Sequence, residues 1–222
     1  MKNGMLSAVI VSAVLCAAAE SYAITIDMDA LGATEVCLHS LTNGKRGYCT
    51  DANTNFQQIV ALPVTVDGTA GIDKVVVRST AMCSCVCTNL PDGANATSYN
   101  YGGSSVTING DEEDDVLIAG FVGGGASHTT NAGADDDQLG GGAGAPDMLS
   151  GAGGADVLED RAGGSDTHSG SSGADCIDDE DGSWTSCDCG ADNDTRSNAT
   201  TSACTSCETS GGACAITCPE II

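Results

Sequence analysis

An aspartate followed two residues later by a side chain that is predicted to point inward, aliphatic in four copies and histidine in one, recurs five times in one register between residues 133 and 181. Successive aspartates are 10, 9, 10 and 9 residues apart, and glycine-rich turns precede the last four copies. A fixed step of this kind predicts that each copy is one turn plus one short strand, which buries its inner face only by stacking on its neighbours. The copies are Asp137-Gln-Leu139, Asp147-Met-Leu149, Asp156-Val-Leu158, Asp166-Thr-His168 and Asp175-Cys-Ile177.

The turns of this repeat have the chemistry of a site for a hard cation. Glycine adopts positive φ and lets backbones approach closely. Each aspartate offers a carboxylate beside exposed backbone carbonyls, and such oxygens suit calcium. The same composition is also typical of a disordered acidic linker, although the fixed register argues against one. We expect the carboxylates to repel one another without calcium, so that calcium binding and folding occur together.

The repeat resembles the calcium-binding nonapeptide G-G-x-G-x-D-x-U-x of the RTX (repeats-in-toxin) family. The best copies are Gly151-Ala-Gly-Gly-Ala-Asp156-Val-Leu158 and Gly170-Ser-Ser-Gly-Ala-Asp175-Cys-Ile177. The resemblance implies an all-β fold, a parallel β-roll or β-solenoid with calcium-binding Gly/Asp turns on one edge. The cysteines near both ends add disulfide-tied terminal caps to the expected fold. Carried over by position, it implies these calcium ligands: Asp137, Asp147, Asp156, Asp166 and Asp175. Two copies depart from the pattern, since alternate steps have ten residues and His168 replaces an aliphatic residue.

Weaker copies of the repeat extend toward the N-terminus and set the expected domain boundaries. Glycine turns precede the short apolar runs at 75–77, 106–108 and 116–118, so we expect one irregular β-solenoid over residues 68–183, clearest over 133–181. Residues 24–67 are expected to form a small β cap. Residues 184–222 hold six cysteines and little apolar content, which predicts a disulfide-tied cap or tail.

Two acidic runs supply further candidate calcium ligands. Asp115 ends the run Asp111–Asp115, and Asp181 ends the run Asp178–Asp181 directly after the fifth copy. A run of acids is also typical of a solvated turn, and both interpretations stay open.

The N-terminus predicts export. Lys2 precedes an apolar run from Met5 to Ala19, and small residues occupy Ser21 and Ala23. This pattern is typical of a secretory signal peptide over residues 1–23, with cleavage after Ala19 as the alternative. The run is too short and too rich in alanine for a transmembrane span, so we expect a secreted protein, extracellular or on the cell surface.

Export affects how the cysteines are interpreted. Without Cys16, twelve of the 13 cysteines remain, an even number that predicts disulfides. Cys83, Cys85 and Cys87 alternate and should point to one face of a strand, reaching neighbouring segments rather than each other. Cys37 and Cys49 flank a turn and could close a hairpin-sized loop. The alternative is a zinc site made of Cys187, Cys189, Cys204 and Cys207.

Charge and motifs narrow the function. With 31 acidic and 7 basic residues the net charge is −24, which excludes a conventional nucleic-acid binder and disfavours anionic membranes. The sequence contains no H-E-x-x-H or G-x-S-x-G motif, and we expect no enzymatic activity.

The favoured function is a calcium-binding structural protein of the cell surface or extracellular matrix. Its expected partners are calcium, copies of itself in filaments, and cell-surface components. The alternatives are a small exported hydrolase or a calcium-dependent carbohydrate or adhesion module that uses the repeats for folding.

Overall fold

The structure, a computed structural model, describes residues 23–41, 45–60, 63–77, 84–91, 96–97, 105–119, 127–142, 146–160, 164–179, 184–192, 194–196 and 209–210. The predicted signal peptide, apart from Ala23, lies outside these ranges, and so does Asp181. None of the helices within the described ranges is long and apolar enough to cross a bilayer.

The described elements are short strands and one single-turn helix. In chain order they are β1 (Ile24–Asp27), α1 (Met28–Leu31), β2 (Glu35–Leu41), β3 (Arg46–Thr50), β4 (Gln57–Ile59), β5 (Val64–Asp67), β6 (Lys74–Val77), β7 (Ala96–Thr97), β8 (Val106–Asp111), β9 (Val116–Ile118), β10 (Thr129–Ala134), β11 (Gln138–Gly140), β12 (Met148–Gly153), β13 (Val157–Asp160), β14 (Asp166–Ser172), β15 (Cys176–Asp179), β16 (Trp184–Asp188), β17 (Thr195–Arg196) and β18 (Thr209–Ser210).

From β5 onward, most consecutive strands alternate between two sheets. The first sheet has seven strands in the order β1-β5-β8-β10-β12-β14-β16, all parallel. The second sheet has eleven strands and the order β18-β17-β15-β13-β11-β9-β6-β2-β3-β4, with β7 beside β2. Parallel neighbours place equivalent residues of alternate copies side by side, as Leu139 of the first copy lies beside Leu158 of the third, while Leu149 of the second copy lies in the other sheet.

The predicted fold class, an all-β parallel β-roll or β-solenoid with disulfide-tied terminal caps, is wrong. The described strands form two open sheets that do not close on each other, and the second sheet is mixed. Strands β2, β3 and β4 pair antiparallel in sequence, because the chain reverses between them instead of crossing to the other sheet. A tight turn makes the second reversal: the Thr50 N–H donates to the Asn53 carbonyl at 3.0 Å.

The N-terminal segment contributes to both sheets. Strand β1 pairs with β5 at one end of the first sheet, and β2 pairs with β6 in the second. The helix α1 lies between β1 and β2. Its N-cap is Asp27, whose Oδ1 accepts from the Ala30 N–H at 2.9 Å, and its C-cap is Gly32, which has φ 62°. An oxygen-bearing N-cap and a left-handed glycine are the usual ends of a short helix.

The hydrophobic core lies on the inner faces of the two sheets. The inner residues of the repeat that were expected to be buried are buried: Leu139, Leu149, Leu158 and Ile177 are fully inaccessible. The first sheet adds Val66 and Ile108, and the whole set forms one apolar cluster with Met28 of α1. Burial of a side chain of this size stabilises a fold by about 1.5–3 kcal/mol. The aspartates two residues earlier are thereby fixed at the starts of the strands.

Candidate cation-binding site

Six buried aspartates lie in register at the N-terminal ends of strands in the second sheet. Each is the residue immediately before a strand, and each is at most 1% exposed. Because these strands are parallel and in register, the side chains form one row, which we call the aspartate ladder. Its members are Asp73, Asp115, Asp137, Asp156, Asp175 and Asp194.

In five of the six members, one carboxylate oxygen accepts from the preceding member of the aspartate ladder, whereas the Asp73 carboxylate accepts from the Thr69 N–H of its own turn. The main-chain N–H of Asp115 donates to Oδ1 of Asp137 at 2.8 Å, and that of Asp137 donates to Oδ1 of Asp156 at 2.9 Å. The same bond recurs along the whole row, from Asp73 to Asp115 and from Asp156 through Asp175 to Asp194. The carboxylates therefore tie successive turns together.

The second oxygen of the carboxylates lacks such a partner. Within the described residues, one buried oxygen has no hydrogen-bond partner in each of Asp115, Asp137, Asp156 and Asp175. A buried acceptor without a partner costs about 1–3 kcal/mol, more when it is charged. A row of such oxygens needs either protons or cations to be stable.

Glycines five residues upstream of Asp115, Asp156 and Asp175 make room for these oxygens, whereas Ala132 occupies the equivalent position before Asp137. A Cβ on Gly151 would lie 2.1 Å from Oδ2 of Asp156, and a Cβ on Gly170 would lie 2.3 Å from Oδ2 of Asp175. At these three turns, the preceding strand thus leaves a cradle around the carboxylate that a side chain would fill. This explains the glycine at these positions by space rather than by φ.

Burial raises the pKa of the ladder carboxyls. It raises the pKa of Asp115, Asp137 and Asp156 to about 7 and that of Asp175 to about 6. Hydrogen bonds from the backbone oppose the rise, whereas the neighbouring carboxylates add to it; Asp175, for example, raises the pKa of Asp156. Near neutral pH the row sits between the protonated and the charged form, which is unfavourable without a counter-ion.

The remaining two repeat aspartates form a separate row. Asp147 precedes β12 and Asp166 begins β14, so both belong to the first sheet. The N–H of His128 donates to Oδ1 of Asp147 at 2.7 Å, and the N–H of Asp147 donates to Oδ1 of Asp166 at 2.7 Å. Burial raises the pKa of Asp166 to about 7, and its Oδ2 has no hydrogen-bond partner among the described residues. We call Asp147 and Asp166 the second aspartate pair.

The structure therefore separates the sequence-predicted ligands into two groups. Asp115, Asp137, Asp156 and Asp175 share the aspartate ladder, while Asp147 and Asp166 do not belong to it. In the run Asp111–Asp115 only Asp115 is buried, and the other four side chains are exposed. The four exposed residues fit a solvated turn, and whether Asp115 binds calcium stays a prediction.

Two members of the ladder, Asp73 and Asp194, were not among the predicted ligands. Asp73 follows a glycine turn that the sequence does reveal, at Gly68 to Gly71. Asp194 lies 19 residues after Asp175, the same separation that joins Asp137 to Asp156 and Asp156 to Asp175. Counting in steps of 19 identifies Asp194, whereas the shorter alternating step does not.

The donor set fits a hard divalent cation. The buried groups of the ladder are carboxylate oxygens, and a backbone carbonyl lies near one of them: the carbonyl oxygen of Cys189 and Oδ2 of Asp175 would each be 2.3 Å from a Cβ on Gly170. Calcium takes six to eight oxygen ligands of these two kinds in flexible geometry.

No protein-family model matches the chain, and no curated protein or solved structure matches it either. What the site binds is therefore inferred from its own residues.

Proposed function

We propose that this chain is an exported calcium-binding structural protein, in which calcium ions along the aspartate ladder hold the two-sheet fold together. One observation carries the proposal: each of Asp115, Asp137, Asp156 and Asp175 has one oxygen bonded to a neighbouring turn and one buried oxygen without a partner. A divalent cation beside such an oxygen supplies the missing partner and neutralises the charge.

The chemistry of the donors supports calcium over softer metals. Zinc and copper favour imidazole and thiolate ligands, whereas carboxylate and carbonyl oxygens suit calcium, magnesium and manganese. Magnesium demands near-ideal octahedral geometry, which a row of turns spaced by a sheet provides less readily than calcium's looser shell. The net charge of −24 also attracts divalent cations, and without them its self-repulsion destabilises the compact state.

A structural role is favoured because the carboxylates are bonded into the backbone. Five of the six ladder carboxylates accept the main-chain N–H of the preceding member, which suits holding turns in register rather than turning over a substrate. Strand β1 lies at one end of the first sheet and β4 at one end of the second. Open sheet ends can pair with further strands, and this supports self-association at the cell surface or in an extracellular matrix.

Calcium titration of the purified chain tests the proposal. We expect isothermal titration calorimetry to detect binding to the chelator-treated protein, and circular dichroism to show an increase in β signal that a chelator reverses. Asp156→Asn should weaken binding, since it removes one charge from the ladder. Glu112→Gln is the matched control, because Glu112 is an exposed acid two turns along from Asp156. Equal binding by both variants, or none by the wild type, would overturn the proposal.

Self-association is tested separately by light scattering over the same calcium range. An increase in particle size with calcium supports a filament or matrix component. A monomer at high concentration would contradict self-assembly while leaving the calcium proposal standing.

A further inference from the structure

Four cysteines meet between β2, β3 and the segment 84–91, far in sequence from the repeat aspartates. Cys37 and Cys49 are opposite residues of the antiparallel pair β2–β3, and both are fully buried. Cys85 is 7% exposed and Cys87 is partly exposed. We call these four residues the thiol cluster: Cys37, Cys49, Cys85 and Cys87.

The pairing within the thiol cluster leaves one thiol against bonded sulfurs. Cys49 and Cys87 form a disulfide. Cys37 is itself disulfide-bonded, and Cys85 is a free thiol. Sγ of Cys85 lies 4.0 Å from Sγ of Cys49 and 2.8 Å from Sγ of Cys37. A free thiol at these distances is positioned for exchange with either disulfide without large backbone movement. Of the two attacks, the one on Cys49 releases a described, partly exposed cysteine, Cys87.

We propose that Cys87 is a latent modification site for small-molecule disulfides, exposed by exchange of the Cys49–Cys87 disulfide with Cys85. In this step the Cys85 thiol loses its proton to solvent and its sulfur forms a bond to Sγ of Cys49. The Cys49–Cys87 bond breaks, its electron pair leaves with Sγ of Cys87, and that thiolate is protonated by water. One disulfide and one thiol are present before and after, so the exchange consumes no oxidant or reductant.

The exchange transfers the free thiol from a buried cysteine to a more exposed one. The initial thiol, Cys85, is buried, and the released thiol, Cys87, is partly exposed, so the exchange moves the reactive sulfur toward solvent. Solvent stabilises the departing thiolate, and a better-solvated leaving group departs faster. The Cys87 thiolate can then attack a small-molecule disulfide, forming a mixed disulfide and releasing one small-molecule thiol.

The surroundings of Cys85 make the exchange slow at neutral pH. Burial first, and then the Glu35 carboxylate, raise the pKa of the Cys85 thiol to about 11; Asp51 adds to the rise, and Lys74 opposes it. Lys74 Nζ lies 3.4 Å from Oε1 of Glu35, so it partly offsets that charge. His39, on the same strand as Cys37, is also buried, and burial lowers its pKa. Because only the thiolate attacks, the exchange should accelerate about tenfold per pH unit up to that pKa.

Alkylation of the folded full-length protein tests the proposal. The protein is held with N-ethylmaleimide at about pH 7 and about pH 9, then digested without reduction, and the labelled and cross-linked peptides are mapped by mass spectrometry. We expect the label on Cys87 together with a Cys49–Cys85 cross-link, accumulating faster at the higher pH. Dithiodipyridine in place of the maleimide should release about one equivalent of thiopyridone as the Cys87 mixed disulfide forms.

Cys85→Ser is the control, because it removes the attacking sulfur and keeps the Cys49–Cys87 disulfide. Labelling of Cys87 should disappear in this variant, and Cys85→Ala gives the same test if the serine variant does not fold. Three results would overturn the proposal: label on Cys85 or another cysteine but not on Cys87, no label on Cys87 at either pH, or label on Cys87 that persists in the serine variant.

Discussion

The main-chain N–H of Asp137 donates to Oδ1 of Asp156 at 2.9 Å, so a single carboxylate joins two turns that are 19 residues apart in the chain. Oδ2 of the same Asp156 side chain is buried without a hydrogen-bond partner among the described residues. The two oxygens of this carboxylate therefore have opposite effects on the stability of the fold. The first oxygen stabilises the stacking of the turns, and the second makes that stacking costly until a cation or a proton arrives.

Asp156→Asn should separate these two contributions. Asparagine keeps an oxygen that accepts the Asp137 N–H but carries no charge. We expect the calcium-free variant near pH 8 to be more stable than the wild type by about 1–3 kcal/mol, because asparagine removes a buried charge that desolvation and the Asp175 carboxylate disfavour. In calcium the order should reverse, because the variant loses a ligand. Urea unfolding in chelator and in calcium measures both values. A variant that is less stable than wild type in both solutions would contradict this account.

The calcium-free protein should lose stability as the pH rises. The ladder carboxyls have pKa values of about 7 when folded, at Asp115, Asp137 and Asp156, against the ordinary value of 3.8. A folded pKa above the unfolded one means that the folded state binds protons more tightly, so the protonated form contributes stability. That contribution is complete below about pH 4 and is lost progressively up to about pH 7.

Calcium should cancel this pH dependence, because it binds the ionised carboxylates. Thermal unfolding between about pH 5 and about pH 8, with chelator and with calcium, measures the effect. We expect the melting temperature to fall with pH in chelator and to hold or rise in calcium. A melting temperature that rises with pH in chelator would show that the ladder carboxyls do not control stability.

Local spacing predicted that the inner residues of the repeat are buried, and Leu139, Leu149, Leu158 and Ile177 are fully buried. That result depends on a turn and a strand of constant length, which the sequence displays directly. Local spacing did not predict which copies pair: Asp137 joins Asp156, two copies along, while the copy between them, at Asp147, contributes to the other sheet.

The pairing of distant segments was not predicted. Strand β2 pairs antiparallel with β3 and parallel with β6. These pairings depend on which strand edges remain open after the chain has folded, and the local spacing of residues does not indicate them. The thiol cluster is likewise tertiary: Cys85 meets Cys49 across 36 residues, and the even number of cysteines suggested full pairing rather than a free thiol.

Asp166→Asn should affect calcium binding independently of Asp156→Asn. Asp166 belongs to the second aspartate pair on the first sheet, and the two aspartates share no hydrogen bond. Effects at sites with no shared partner add within about 0.3–0.5 kcal/mol. We expect each variant to reduce the number of bound calcium ions, and the double variant to reduce it by the sum. Calorimetry of the four proteins gives the comparison. A double variant no worse than either single one would place both aspartates in one site.

Gly151→Ala should destabilise the ladder by filling the cradle of Asp156. The added Cβ would lie 2.1 Å from Oδ2 of Asp156, closer than any real contact, so the carboxylate or the turn must shift. Overpacking of this kind typically costs about 1–3 kcal/mol, and calcium affinity should fall as well. Gly71→Ala is the matched control, because its Cβ would meet only Oγ1 of Thr69, at an ordinary 3.6 Å. Thermal unfolding and calcium calorimetry of both variants measure the difference. If the two alanine variants lost stability equally, the effect would reflect loss of glycine in general, and the space beside Asp156 would have no role in cation binding.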